Sequence, residues 1–196
     1  MSENFDNLGP AIEELKKLNG TNIYVGIPWD DKHLTMIAMV NEVGATIRPK
    51  KGQFLCIPAN KDMVGKSPKD VKGLFRPKGK NVLALANKSG GIKVMFILKK
   101  SVTIPPRPFL RTTMTKYAQE WSGVVQTEVQ KILVGESNAN QSIDTIGKRA
   151  VKEMKRTIKQ FDRPPNSKLT QELKGANNPL IDTGKMMNSV FYVAEK

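Results

Sequence analysis

Apolar residues recur along this chain at two different spacings, and the switches between them divide it into elements. Ala11-Ile-Glu-Glu-Leu-Lys-Lys-Leu18 sets Ile12, Leu15 and Leu18 on one face, with Gly20 placed to close a helix. Asn22-Ile-Tyr-Val-Gly-Ile27 alternates, turning Ile23, Val25 and Ile27 to one side of a strand that Pro28 and Asp30-Asp31 end. Residues 33–43 return to the helical spacing through Leu34, Ile37, Ala38 and Asn41, and Gly44 stops them. The strongest helical pattern spans 112–134, where Met114, Tyr117, Ala118, Trp121, Val124, Val125, Val129, Ile132 and Leu133 mark out a stripe. A second long helix over 142–161 buries Ile143, Ile146, Ala150, Met154, Ile158 and Phe161. A short helix near 168–173, another over 185–189 and a strand around 190–193 complete the pattern.

Between Thr46 and Ser101 the character changes. Lys and Gly become frequent, and β-type runs appear at 53–57, 81–86 and 92–98, separated by Pro77-Lys-Gly79 and Ser89-Gly-Gly91. This reads as a basic β-hairpin insertion, 46–101, within one domain spanning 1–196. The predicted class is α+β: a small, mostly antiparallel sheet packed by two long helices.

Charge sharpens the division. The formal net charge is +14, and residues 46–111 alone hold sixteen Lys and Arg against Asp62 and Asp70. The rest of the chain carries equal numbers of each sign. Such asymmetry points to an acidic partner, nucleic acid or protein, or to a solvated surface kept soluble by repulsion. Lys50, Lys51, Arg76, Lys78 and Lys80 are the insertion's candidate contacts, and Lys148, Lys152, Lys155 and Lys159 form a basic stripe along the second long helix. Glu153 stands within pairing distance of Arg149 and Arg156, which weakens that stripe. With no aromatic interleaved to stack on bases, duplex passing along diffuse charge fits better than single-strand recognition.

Residue types suited to catalysis are sparse. The one histidine, His33, begins a helix beside Asp30 and Asp31, without a nucleophile elbow. One Cys and one His cannot form a zinc site, and Cys56, in an alternating run, reads as a small core residue. Gly65-Lys-Ser67 has the end of a phosphate-binding loop, but Asn60 stands where its first glycine belongs. Ser67-Pro-Lys-Asp70 reads better as a helix cap answered by a carboxylate three residues on. The expectation is a protein without catalytic residues, cofactor or metal. The acidic start 1–7 lacks a signal-peptide core, and the longest apolar run, Val94-Met-Phe-Ile-Leu98, is too short to span a membrane, so a cytoplasmic product is expected.

The most distinctive residues lie at joints. Ile104-Pro-Pro-Arg-Pro-Phe-Leu-Arg111 is stiffened by three prolines before a helix, with Phe109 and Leu110 free to anchor it and Arg107 and Arg111 on either side of that anchor. At least one of those arginines is expected to form an ion pair, within the protein or to a neighbouring subunit. Pro164-Pro165 stops the basic helix, Asn166 or Ser167 caps the next, and Asn178-Pro-Leu-Ile-Asp-Thr-Gly184 leads to a last turn capped by Asp182 or Thr183.

With Asn41-Glu-Val-Gly-Ala45, these joints resemble the tail-completion (virion morphogenesis) proteins of tailed bacteriophages, over residues 20–45 and 102–194. In that family a Pro-Arg-Pro-Phe-Leu-Arg type segment precedes a long helix, and a later Pro-Leu-Asp-Thr-Gly segment leads to a short helix and a final strand. The resemblance implies a structural subunit of the virion neck or upper tail, made in the bacterial host cytoplasm. It also implies a homo-oligomeric ring, sixfold like the tail, meeting other neck and tail proteins. Arg107, Pro108, Phe109, Arg111, Pro164, Pro165, Asp182, Thr183 and Gly184 are then its candidate joint residues. The alternative is a non-specific nucleic-acid-binding protein using residues 46–111.

Overall fold

The computed structural model describes residues 8–87 and 90–196. It is an α+β protein whose chain divides into two compact units. The first comprises residues 1–43, 107–163 and 178–196, and the second residues 44–106 and 164–177.

In the first unit, α1 (Leu8–Asn19) leads to β1 (Asn22–Gly26) and α2 (Lys32–Val43). Then follow α3 (Phe109–Leu133) and α4 (Ala139–Gln160), and near the chain's end α6 (Lys185–Asn188) and β7 (Phe191–Glu195). β1 and β7 pair antiparallel, with Tyr24 opposite Val193 and Val25 opposite Tyr192. The ribbon lies on α4, whose Gly147 is the reason the fit is close: a Cβ at 147 would overlap the ring of Tyr192. The Tyr192 hydroxyl donates to Asp144 Oδ1 at 2.7 Å. The core joins Leu34 and Ala38 of α2, Phe109 of α3, Met154 and Ile158 of α4, and Leu180, Met186 and Val190. Asp31 rather than His33 organises the start of α2, accepting the Leu34 amide at 3.0 Å, and His33 is exposed. Asn138 and Gln141 form a reciprocal capping box at the start of α4.

α3 departs from its predicted stripe. Met114, Ala118, Val125 and Leu133 are exposed, and the buried positions are Phe109, Thr113, Tyr117, Glu128 and Ile132. The helix has apolar residues on more than one side. Packing against α4 and α1 selects the side that carries two polar residues. Thr113 satisfies its hydroxyl on the Phe109 carbonyl at 2.7 Å, and Glu128 accepts from Ser142 at 3.1 Å and Lys131 at 2.7 Å. α3 also begins three residues earlier than its periodicity suggested, because Phe109 and Leu110 are already helical.

The second unit opens and closes on a short stem, β2 (Ala45–Ile47) paired with β6 (Val102–Ile104). Three residues per strand are too few for an alternation to register, so the sequence does not announce it. Gly44 adopts φ 76°, and a Cβ there would stand 2.9 Å from the Ile104 carbonyl oxygen and the Pro106 nitrogen. Beyond the stem, β3 (Leu55–Pro58), β4 (Val82–Ala86) and β5 (Ile92–Lys99) form an antiparallel sheet in the order β3-β5-β4. A small core of Met63, Met95 and Phe96 holds it, with Val71, Leu74, Leu83 and Leu85 packed around. The three β-type runs expected at 53–57, 81–86 and 92–98 correspond to β3, β4 and β5. Lys88 and Ser89 lie outside the described residues, as does the acidic start 1–7. Cys56 is exposed rather than buried: its run alternates, but with the cysteine on the open side. α5 (Lys168–Lys174) also belongs to this unit.

Candidate functional site

The start of α3 is held by the end of α2. The N-cap position of α3 is Pro108, which has no side-chain acceptor to offer the first helical amides. Glu42 supplies it from 68 residues before Leu110 in sequence. Its carboxylate accepts the amide of Leu110 at 2.9 Å and that of Arg111 at 3.3 Å, and the Arg111 Nε at 3.0 Å. Arg111 Nη2 also donates to the Glu42 carbonyl at 3.1 Å. A carboxylate at a helix start is favoured twice, by the unpaired amides and by the helix dipole. Arg111 thereby forms the internal ion pair expected of the joint.

Arg107 behaves differently. It is 7% exposed, its amide donates to the Asn41 carbonyl, and its Nη1 lies 3.4 Å from Asn41 Oδ1. Burial lowers its pKa from the ordinary arginine value without removing its charge. Pro108 sets the turn and Phe109 is fully buried, so Arg107, Pro108 and Phe109 in succession supply a buried cation, a rigid bend and a core anchor. Asn41 and Glu42 are what the sequence did not single out as joint residues. The available signal was a carboxylate directly before a helix-ending Val-Gly.

The second joint divides between the two units. In the second, Pro164 and Pro165 precede buried Asn166, and Ser167 caps α5 by accepting the Thr170 amide at 3.2 Å. In the first, Asn178 Oδ1 accepts the amides of Leu180 and Ile181 at 3.0 and 2.9 Å, and its Nδ2 donates to the Lys159 carbonyl at 2.8 Å. Asn178 so closes the end of α4 and shapes the following turn. Thr183, not Asp182, serves the last helix: its hydroxyl accepts the Lys185 amide at 3.3 Å, and Gly184 occupies the formal cap position. Lys185 in turn reaches Asp31 at 2.6 Å, which with the Leu34 amide holds the Asp31 carboxyl below its ordinary pKa.

The basic stripe of α4 is partly neutralised. Lys148 pairs with Asp144 at 2.6 Å, a contact that, with the Tyr192 hydroxyl, lowers the Asp144 pKa. Arg149 bonds buried Glu153, which also accepts the indole N–H of Trp121, and approaches Glu120 at 3.4 Å. Lys155 is half-buried, leaving Lys152 and Lys159 exposed. In the second unit the picture reverses: Lys50, Lys51, Lys78 and Lys80 are exposed and form no ion pair among the described residues. Arg76 is committed locally, donating to the Lys80 carbonyl at 3.0 Å and to Asn81 Oδ1 at 2.8 Å, over the ring of Phe54.

Ser67 accepts from the backbone while Asp70 returns a bond to the Ser67 amide at 2.9 Å, so the Gly65-Lys-Ser67 segment is a helix cap. Among the described residues no three His, Cys, Asp or Glu side chains gather to hold a metal, and no helix is long and apolar enough to cross a membrane. The outer face of the β1–β7 ribbon exposes Tyr24, Phe191 and Val193, with Trp29 83% exposed beside them. Compared with known family models, curated proteins and solved structures, the chain matches none.

Proposed function

We propose that this protein is a structural subunit of a tailed-phage virion, a tail-completion ring component of the neck or upper tail that helps join tail to head. The observation that carries the reading is the grip of Asn41 and Glu42 on Arg107–Arg111. Two of the segments on which the phage resemblance rests, 41–45 and 104–111, supply these residues, and in the first unit Asn41 and Glu42 hold the start of α3 as a mechanical joint. Their polar groups are spent on helix ends and backbone amides. That is the use expected of a building part, whose surfaces must keep fixed angles under load.

Ring closure demands two different surfaces that meet head to tail. The exposed aromatic face of the ribbon is an apolar surface of the kind subunit contacts cover.

The test is deletion of the reading frame in the phage or prophage that carries it, followed by electron microscopy of the lysate. Filled heads beside separate tails are the expected result. Normal particles would overturn the proposal, as would virions in which the protein is present only as a monomer.

A further inference from the structure

The second unit holds sixteen Lys and Arg against three Asp and Glu, so nearly all of the chain's net charge resides there. Residues 44–106 contain two acids, and both are already used. Asp62 pairs with Lys93 at 3.3 Å, and Asp70 accepts the Ser67 amide in the capping box. Twelve further Lys and Arg between 46 and 101 are exposed without a carboxylate partner among the described residues.

Their placement is systematic. Lys51-Gly52, Gly65-Lys66, Lys72-Gly73 and Lys78-Gly79-Lys80 each set lysine beside a positive-φ glycine. These lysines lie in the turns and loops between the strands, outside the sheet that the Met63, Met95 and Phe96 core holds. Repulsion among so many like charges opposes folding, and the unit's three acids offset little of it. A polyanion outside the protein would supply the missing counter-charge.

We propose that this lysine-tipped surface binds the phosphate backbone of duplex DNA without sequence preference. Three observations favour duplex over the other polyanions. Ten of the twelve cations are Lys and two are Arg. Point charges on flexible stems suit a regular array of phosphates, whereas carboxylates of an acidic protein are better met by the arginine fork. Of the two arginines, Arg76 is already bonded to Lys80 and Asn81. Finally, the exposed positions carry little aromatic surface: Phe54 lies under Arg76 and Phe75 is 40% exposed, so a stacking platform for single strands is not built. The inference stands independently of the virion reading, which rests on the other unit.

The experiment titrates the full chain into a fluorescent mixed-sequence duplex of about 30 bp and follows anisotropy at several salt concentrations. Engagement of six or more lysines predicts that affinity falls about 10³-fold or more between ~50 and ~200 mM salt. The variant carrying K50Q, K51Q, K78Q and K80Q should flatten the log–log salt slope by about three to four. A second variant, K61Q, K66Q, K69Q and K72Q, should do the same, so that a folding defect in one does not decide the matter. Substituting Lys148, Lys152 and Lys159 by Gln should leave binding within about twofold. Undetectable binding at ~50 mM salt overturns the proposal, and so does a salt slope unchanged in both insertion variants. Tighter binding to the separated strand, or displacement of duplex by polyglutamate at equal charge, overturns it in favour of a different polyanion.

Discussion

The two units hold equal numbers of Lys and Arg, sixteen each, but the first has fifteen Asp and Glu where the second has three. In the first unit the acids are structural. Glu42 caps α3, Asp31 caps α2, Glu14 accepts the Ala139 amide at the start of α4, and Glu128 and Glu153 bridge the α3–α4 pair. Cations there answer acids already placed for the helices. In the second unit the cations outnumber every internal use for them. The same side chain is therefore architecture in one region and free surface in the other, and only its acidic neighbours tell the two apart.

Substitution should break the contrast most visibly in the core of the first unit. Phe109→Ala removes a fully buried ring at the joint and should cost about 3–5 kcal/mol. Both tryptophans, Trp29 and Trp121, belong to the first unit, so fluorescence during urea unfolding reads it selectively. An unchanged midpoint would mean that the joint does not anchor α3.

Glu42→Ala should follow at about 2–3 kcal/mol, since it leaves helix-start amides unmet in a buried position. Arg111→Ala should cost under about 1 kcal/mol, because its side chain is mostly exposed. If the two substitutions cost the same, Glu42 acts as an ion-pair partner rather than as a cap. Gly147→Ala, by forcing a methyl into the Tyr192 ring, should cost about 1–3 kcal/mol, and pairing it with Tyr192→Ala should give a smaller loss than the sum.

Acid should also act on the first unit. Asp31, Asp144 and Glu14 have folded pKa values below their ordinary ones, through Lys185, Lys148 and Lys17 respectively. The unfolded chain therefore takes up protons first. Their stabilisation is complete above the unfolded value of about 4 and is lost as pH falls through the depressed folded values. Thermal unfolding followed by fluorescence should show a plateau above about pH 5 and a decline below pH 4. The smallest effect belongs to the second unit: Lys50→Gln with Lys51→Gln should move stability by less than about 0.5 kcal/mol, read by hydrogen exchange in β3–β5. A large loss there would make those lysines structural and erase the contrast.

Legibility cut across the two units and followed how local each feature is. Elements with a strong period were readable from sequence to within a few residues: α4, whose buried Ala150, Met154 and Ile158 were expected, and strands β4 and β5. The caps at Ser67 and Ser167 were also readable, because the residues that make them are adjacent in the chain. The stem β2–β6 was not, nor were the exposure of Cys56 and the partners of the arginines at the joint.

The sequence by itself therefore determined the α+β class, the periods of the long helices, the stiffness of the proline joints and the lopsided charge, because each is a local property of composition or spacing. Only the tertiary structure decided which side of α3 is buried, that Glu42 caps the amide of Leu110, 68 residues downstream, and that Tyr192 rests on Gly147. Those outcomes depend on which surfaces meet, and a one-dimensional pattern carries the propensity of each surface but not the identity of its neighbour.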